Sequence, residues 1–359
     1  MIKAQPLPDS LSGRSFTLGE SDDYGISRRR TAGRDLYTPG RCIRVPWGVQ
    51  EPLADRVRPL LELTPGGMAS HSTAALLWGV PLPPWLAGSF EIHISKVASS
   101  APPWRAGVVG HHTRFKPGEV DLLGGMPVTS PLRTWLDLAA MLELDDLVAA
   151  GDFLVCEHDR IFGPKRVALV NLFEVRESVR HEFHRRGIVK AREAADLLRV
   201  GANSPPEKRI RLALERAGVP GLTLNHVVVD ADGSDASWPD LALPEWKIAL
   251  EYDGAHHLTA RQKAIDEARN RLMERLGWQQ LRITKAMLDN DGDKAVVALV
   301  RNALRVQGWT GPFFERAFPP TSTVGADGVK RRRRPPRSFG RRIRRRWSPR
   351  AGRPWRGPR

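Results

Sequence analysis

Three acidic residues in the last third of the chain have side chains and spacing that could bind a metal ion. Asp240 follows Pro239, and Glu251 and Asp253 stand two positions apart in the segment EYDG. Because side chains two positions apart in a β-strand share a face, Glu251 and Asp253 are predicted to point the same way. Clustered carboxylates repel one another unless a cation neutralises them, and hard divalent ions prefer oxygen ligands. The pattern therefore predicts Mg²⁺ or Mn²⁺ bound by Asp240, Glu251 and Asp253.

The sequence around these carboxylates predicts the elements that would bring them together. Apolar periodicity, turn residues and helix caps mark the boundaries. The predicted elements are a helix between Ser204 and Gly218, strands over 222–229, 236–243 and 248–253, a helix over 261–276, a strand over 278–283 and a helix that ends near Val306. The short turn at 244–247 folds the second strand back beside the third. We therefore expect Asp240 to lie near Glu251 and Asp253.

Pro239 and Asp240, followed by the segment EYDG, resemble the PD-(D/E)XK nuclease motif. The resemblance is strongest to the branch similar to very-short-patch-repair endonucleases, which has a helix Glu, a strand Asp, an E-x-D-G-x-x-H segment, a D-x-x-R helix and a Gly-Trp strand. The matching residues are Glu207, Asp240, Glu251, Asp253, Gly254, His257, Asp266, Arg269, Gly277 and Trp278. This resemblance implies a restriction-endonuclease-like α-β-β-β-α-β-α domain over 203–309. It also implies hydrolysis of DNA phosphodiester bonds with Mg²⁺ or Mn²⁺ held by Asp240 and Glu251.

The motif departs from the family at one position. The lysine that usually stands two residues after the Glu is Asp253 here, so the group that would orient water and offset phosphate charge is missing at its usual place. By position, His256 or His257 could supply a proton-transfer group, and Arg269 or Lys285 could supply the positive charge. The candidate catalytic residues are Asp240, Glu251, Asp253, His257 and Glu207.

Several of these residues have simpler structural explanations. Glu207 stands three positions after Ser204 and fits a capping box. The pair Asp253–Gly254 is typical of a turn, and Asp266 with Arg269 fits an i, i+3 surface pair. Only the joint occurrence of Asp240 and Glu251 on neighbouring strands is hard to explain without a site.

The first 50 residues predict a small basic DNA-binding element. Helices are predicted over 16–24 and 27–33, followed by a strand-turn-strand over 36–45, which is the order of a winged helix-turn-helix. The second helix would present a basic cluster to phosphates or base edges, formed by Arg28, Arg29, Arg30 and Arg34. The alternative is a solvated basic turn in a small helical cap.

Residues 51–160 mix helices and strands without a clear catalytic constellation. A helix is predicted over 71–79, a strand over 90–95, and a strand followed by a helix capped by Ser130 over 125–137. The spacing of four histidines does not match known metal-ligand patterns; they are His71, His93, His111 and His112. They are interpreted as packing or surface side chains. Residues 161–202 predict a helical connector whose charges face solvent.

The N-terminal half resembles AbiEi-type antitoxins through three segments. They are 16–45, SHSTAALLWGVPLP from Ser70, and GMPVTSPLRTWLDLA from Gly125. Those proteins are transcriptional regulators of abortive-infection systems with a winged helix that binds promoter DNA. The resemblance implies DNA and a cognate toxin as partners and a scaffold role for the middle region, where His71, Ser72 and Arg133 are motif residues without an assigned catalytic role.

The net charge of +16 is concentrated in the C-terminal tail. Lys330 to Arg359 contain 15 of the 56 basic residues and no acidic residue, so the rest of the chain is nearly balanced. The tail, within 310–359, is predicted to be disordered. Its Arg and Trp residues could bind nucleic acid, although the same composition also arises from GC-rich codons in an unselected frame.

The chain of 359 residues predicts a multidomain α/β (α+β) protein. It has no apolar run long enough for a membrane span and no signal peptide, so a cytoplasmic location is predicted. Cys42 and Cys156 are too isolated to indicate a disulfide framework or a zinc site. Two functions follow: a metal-dependent endonuclease in DNA repair or defence against foreign DNA, or a non-catalytic AbiEi-like antitoxin that represses transcription. Oligomeric state is left open.

Overall fold

Three short strands and two short helices form the N-terminal region. The computed structural model of the chain describes residues 6–98, 101–157, 166–201, 205–230, 232–233, 235–253 and 260–312. The elements here are α1 (Asp9–Ser12), β1 (Phe16–Thr17), α2 (Leu18–Asp23), β2 (Leu36–Tyr37) and β3 (Ile43–Pro46). The sheet order is β1-β3-β2, with both pairs antiparallel. Leu11, Phe16 and Leu36 form its buried core.

The predicted second helix over 27–33 is wrong. Only a 3-10 turn, Arg30–Ala32, forms there. The carbonyl of Thr31 accepts a hydrogen bond from Arg44 Nε at 2.7 Å, and the amide of Arg30 donates to the Ser27 hydroxyl. The Ser27 hydroxyl thus bonds the backbone locally, and side-chain hydrogen bonds of this kind compete with helix formation. The first predicted helix also begins later than expected, because Phe16 and Thr17 pair with β3.

The middle region is built on a five-stranded mixed sheet of order β6-β5-β4-β8-β7. Its elements are α3 (Leu53–Glu62), β4 (Met68–Ala69), α4 (His71–Leu77), α5 (Pro84–Ala87), β5 (Ile92–Val97), β6 (Val108–Thr113), β7 (Val120–Leu123) and β8 (Met126–Thr129). Strands β5 and β6 are parallel, as are β4 and β8. The predicted helix over 71–79 is observed as α4, which stops where Gly79 adopts a positive φ.

Four helices follow this sheet and share one apolar core. They are α6 (Pro131–Leu138), α7 (Leu144–Val155), α8 (Leu172–His181) and α9 (Ile188–Leu197). Ser130 caps α6 through the amide of Arg133, and Pro131 occupies its first turn, as predicted. Trp135, Leu147 and Leu198 are buried in the shared core. The segment predicted as a helical connector is therefore helical and packed into this core.

The charges of that segment are not all solvated, which corrects the sequence interpretation. The side chain of Arg185 is 15% exposed and its guanidinium bonds Asp137 at 3.0 Å and Glu119 at 3.3 Å. Arg133 bonds the same two carboxylates, at 3.0 and 2.6 Å, and is almost fully buried. Glu182 and Lys116 extend the network. Buried charges are retained only when paired, so this network fixes the segment against α6 and the residue before β7.

The C-terminal region contains a four-stranded sheet of order β14-β13-β12-β9. Its elements are α10 (Pro205–Arg216), β9 (Thr223–Leu224), β10 (Val228–Val229), β11 (Asp235–Ser237), β12 (Leu241–Leu243), β13 (Ile248–Asp253), α11 (Ala260–Arg275), β14 (Gln279–Thr284) and α12 (Gly292–Val306). Strands β13 and β14 are parallel and are connected through α11. The other two pairs in this sheet are antiparallel.

Two strands predicted as continuous are broken. The predicted strand over 222–229 divides at Asn225, whose φ is +51°, into β9 and β10. The predicted strand over 236–243 divides into β11 and β12, because Pro239 between them has no amide to donate to a ladder. Strands β10 and β11 pair separately as a two-stranded ribbon. The described residues thus form a mixed α/β protein, and none of the helices among them is long and apolar enough to cross a membrane.

Helix α10 belongs to two cores and is fixed by a buried ion pair. Leu212 packs into the core of the middle helices, whereas Leu214 packs under the C-terminal sheet. On the same helix, Arg211 Nη2 bonds Asp152 Oδ2 of α7 at 2.8 Å, and both side chains are almost completely buried. The other carboxylate oxygen of Asp152 accepts the amide of Arg199 at 2.8 Å. The ion pair, its hydrogen bonds and the apolar contacts therefore all hold α10 in place.

Replacing Asp152 with Ala is expected to lower the free energy of unfolding by about 3–5 kcal/mol, because Arg211 would lose its fully buried partner and the amide of Arg199 its acceptor. Among the described residues, Arg211 would keep only Glu215 as a charged partner, whose side chain is 25% exposed. The matched control is Asp145→Ala, which removes a partly exposed ion pair with Arg216 between the same two helices. That loss is expected to cost about 1 kcal/mol or less. Urea unfolding of the three proteins measures both values. Equal losses in the two variants would contradict the role given to burial.

Candidate functional site

Asp240 directly precedes β12, and Glu251 lies on the paired strand β13 of the C-terminal sheet. Leu241 of β12 pairs with Leu250 of β13, so the next positions on the two chains are Asp240 and Glu251. Asp240 Oδ2 accepts the amide of Tyr252 at 2.9 Å. This hydrogen bond holds the Asp240 carboxylate against β13. The turn over Pro244–Trp246, which ends at Lys247 with a φ of +48°, creates the pairing by reversing the chain.

Arg269 brings a positive charge to this acidic pair. Its Nη2 lies 3.1 Å from Glu251 Oε1, and the two side chains are 37% and 21% exposed. Helix α11 positions Arg269 because it connects the parallel strands β13 and β14. The sequence offered an i, i+3 pair with Asp266 as one role for this arginine, whereas its guanidinium bonds the strand carboxylate. The side chain of Asp266 lies outside the described residues.

The other residues predicted for the acidic site are Asp253, Glu207 and His257. Asp253 is the last residue of β13 and its side chain is exposed. Glu207 lies in the first turn of α10 and is partly buried. Ser204, its predicted capping partner, and His257 both lie outside the described residues. The catalytic roles of these residues stay predictions, as does the ion that Asp240 and Glu251 would hold.

The four arginines predicted to bind DNA divide into two kinds. Arg28 pairs with Asp22 at 2.5 Å, and Arg30 bonds both oxygens of Asp35. The hydrogen bonds from Arg30 lower the pKa of Asp35, so that carboxylate stays charged. The other two, Arg29 and Arg34, are exposed and form no ion pair within the described part of the chain. They are the two with charge available to an external anion.

Three histidines of the middle region lie together, which sequence spacing did not indicate. They are His71 at the start of α4, His93 on β5 and His111 on β6, and one ring nitrogen from each lies within 4.8 Å of the others. His93 Nδ1 is 2.9 Å from His111 Nε2. The rings of His71 and His111 stack with centroids 3.8 Å apart. The neighbouring His112 is exposed.

Burial keeps these three rings uncharged. It is the main cause that lowers the pKa of His71 to about 2 and that of His111 to about 4, and it also lowers the pKa of His93. The parallel pairing of β5 with β6 places His111 opposite Ser95, two residues from His93 on the same strand. Strand alternation could have shown that His93 and Ser95 share a face. The register that adds His111 depends on a distant pairing.

Comparisons of the chain with protein-family models, with curated proteins and with solved structures found no match. The fold and its side chains define a mixed α/β protein with three features that bear on function. These are a carboxylate pair with an arginine at the C-terminal sheet, a histidine cluster in the middle sheet, and exposed arginines in the N-terminal region.

Asp240→Ala is expected to lower the free energy of unfolding by about 1–3 kcal/mol, because it leaves the amide of Tyr252 without its acceptor in a partly buried position. Asp240→Asn keeps a side-chain oxygen and is expected to change stability by no more than about 0.5 kcal/mol. Thermal unfolding compares the two. Asp253→Ala, at an exposed strand end, is the control and should resemble the wild type. A loss in Asp240→Asn as large as in Asp240→Ala would show that the charge, not the hydrogen bond, sets the stability.

Proposed function

We propose that this chain is a DNA-binding protein whose C-terminal region hydrolyses phosphodiester bonds with a divalent ion held by Asp240 and Glu251. The observation that supports this most is the register of β12 and β13, which sets Asp240, just before β12, opposite Glu251, with Arg269 bonded to Glu251. The resemblance to PD-(D/E)XK endonucleases gives the reaction. Location in the cytoplasm, and DNA repair or defence against foreign DNA as the setting, are parts of this proposal.

The donor atoms fit a hard divalent ion. Mg²⁺ commonly binds proteins through one or two carboxylates and keeps several water ligands. Asp240 uses Oδ2 for the amide of Tyr252, and this bond orients the carboxylate. Glu251 Oε1 accepts a hydrogen bond from Arg269, so Oε2 is the oxygen that we assign to the ion. When bound, the ion would lower the pKa of a coordinated water and offset the charge of the reacting phosphate.

Arg269 is the residue that we assign to the missing lysine's electrostatic role. The family keeps a lysine where this chain has Asp253, so a cation must come from elsewhere. Lys285, the other candidate, is exposed and pairs with Asp289 four residues later. Arg269 instead reaches Glu251 itself. A planar guanidinium with several donors is well suited to bind phosphate oxygens.

Full-length protein is expected to cleave plasmid or single-stranded DNA when Mg²⁺ or Mn²⁺ is added and to stop when a chelator is added. Glu251→Gln should lower the rate at least about 100-fold, since even residues behind a metal ligand contribute 10–100-fold. Glu267→Gln is the control, because this carboxylate of α11 is 70% exposed and pairs only weakly with Arg271, at 3.9 Å. Gel analysis of initial rates makes the comparison. Cleavage that survives in Glu251→Gln would reject the assignment.

A second function is supported by Asp253 and by the N-terminal arginines. An acidic residue where the family keeps lysine is compatible with a nuclease fold that binds DNA without cutting it. The exposed Arg29 and Arg34 follow α2 in the region that resembles a winged helix. We propose as the alternative a non-catalytic, AbiEi-like transcriptional repressor, with a cognate toxin as its partner.

Replacing both Arg29 and Arg34 with Ala is expected to weaken duplex DNA binding and to lower the slope of log affinity against log salt by about 2, one for each lost phosphate contact. Arg180→Ala is the control, because this arginine of α8 is 70% exposed but lies outside the N-terminal region. All proteins keep the basic tail, so its contribution cancels. Fluorescence anisotropy at several salt concentrations gives the slopes. An unchanged slope in the double variant would reject a DNA contact at these arginines.

The two functions give different results in the same preparation. The nuclease predicts DNA cleavage that depends on Glu251 and a divalent ion. The repressor predicts DNA binding that depends on Arg29 and Arg34, with no cleavage by the wild-type protein in Mg²⁺ or Mn²⁺. Cleavage by the wild type rejects the non-catalytic alternative, whereas binding without cleavage rejects the nuclease.

A further inference from the structure

The histidine cluster of the middle sheet carries an inference of its own. We propose that His71, His93 and His111 bind a divalent transition-metal ion of the class that includes Zn²⁺, through one nitrogen from each ring. This ion is separate from the hard ion assigned to Asp240 and Glu251. Neither proposal requires the other.

The spacing of the nitrogens is close to that of ligands on one ion. Zn–N bonds are about 2.0–2.1 Å long, so two nitrogens on the same ion at an angle of about 90–110° lie roughly 2.8–3.4 Å apart. His93 Nδ1 and His111 Nε2 are 2.9 Å apart, and all three donor atoms lie within 4.8 Å of one another. Because the rings of His71 and His111 are stacked, binding requires the imidazoles to turn so that their nitrogen lone pairs converge on the ion.

The chemistry of the three ligands favours a borderline metal over a hard one. Neutral imidazole suits Zn²⁺, Fe²⁺, Ni²⁺ and Cu²⁺, whereas Mg²⁺ and Ca²⁺ prefer oxygen. The shared cluster contains no carboxylate among the described residues. Three protein ligands also leave a coordination position for water or another small molecule, which is typical of sites that are open to ligands.

Buried hydroxyls orient His71 in the way that outer ligands orient metal-binding histidines. His71 Nδ1 lies 3.0 Å from Ser70 Oγ. In the tautomer that the proposal requires, Nδ1 carries the proton and donates to Ser70, and Nε2 binds the ion. Ser95 donates to Ser70 at 2.8 Å, and both serines are fully buried. Outer hydrogen bonds of this kind fix the ring and its tautomer. His71 also has a φ of +52°, an uncommon conformation for a residue other than Gly, and such strain is concentrated at functional sites.

The charged groups nearest to the cluster balance one another. Arg133 and Arg185 act on His71 and lower its pKa, after burial and the other two histidines. Each of these arginines is paired with carboxylates, namely Glu119, Asp137 and, for Arg185, Glu182. The network therefore does not place an uncompensated positive charge beside the ion.

The test uses the full-length chain carrying Asp240→Asn and Glu251→Gln, so that the acidic pair cannot account for binding. After removal of metals with a chelator, the protein is titrated with Co²⁺, whose visible absorption reports nitrogen ligation. We expect one equivalent of Co²⁺ that Zn²⁺ displaces. His111→Gln is expected to weaken Co²⁺ binding at least about 100-fold, since changes even to outer residues cost 10–100-fold.

The matched control is His112→Gln, the next residue on β6, which is exposed and outside the cluster. It should bind Co²⁺ with the affinity of the parent protein. If His111→Gln does not fold by circular dichroism, His71→Asn replaces it, because Asn tolerates a positive φ. Absence of Co²⁺ absorption in the parent, or equal affinity in the parent and the folded cluster variant, would overturn the proposal. Equal losses in His111→Gln and His112→Gln would also overturn it.

Discussion

The most deeply buried ion pair between α7 and α10 joins Arg211 to Asp152, and α10 in turn packs under the C-terminal sheet. Both side chains are almost completely buried and 2.8 Å apart. Taking two charges out of water is costly, and only close pairing with further hydrogen bonds offsets the cost. Asp152 has that further bond from the amide of Arg199, and Arg211 donates to the carbonyl of Leu197 at 3.0 Å. The pair therefore fixes the position and the rotation of α10 together.

The position of the acidic pair follows from constraints that begin after α10. A tight turn ending at Lys247 makes β12 and β13 antiparallel, and their register sets Asp240 opposite Glu251. Parallel strands need a crossover connection, and α11 supplies it between β13 and β14. That crossover carries Arg269 to Glu251. A tight turn and a helical crossover thus bring Asp240, Glu251 and Arg269 to the same part of the sheet.

Local signals in the sequence predicted local structure well. The strand Ile248–Asp253, the Ser130 cap with Pro131, and the end of α12 at Val306 agree with the prediction. Each depends on alternation, capping or periodicity within a few residues. The second N-terminal helix was predicted wrongly, and the 3-10 turn in its place is bonded to Arg44, which is distant in sequence. The histidine cluster was missed for the same kind of reason, since it needs the parallel register of β5 and β6.

The central claim is that Asp240 and Glu251 bind a divalent ion. Electron paramagnetic resonance of Mn²⁺ tests it most directly, because free and protein-bound Mn²⁺ give different signals and the bound ions can be counted. The full-length wild type is compared with Asp240→Asn, which keeps the acceptor for the amide of Tyr252. The account predicts one bound Mn²⁺ fewer in Asp240→Asn, whatever other sites the chain contains. An equal number of bound ions with equal affinity in the two proteins would contradict it.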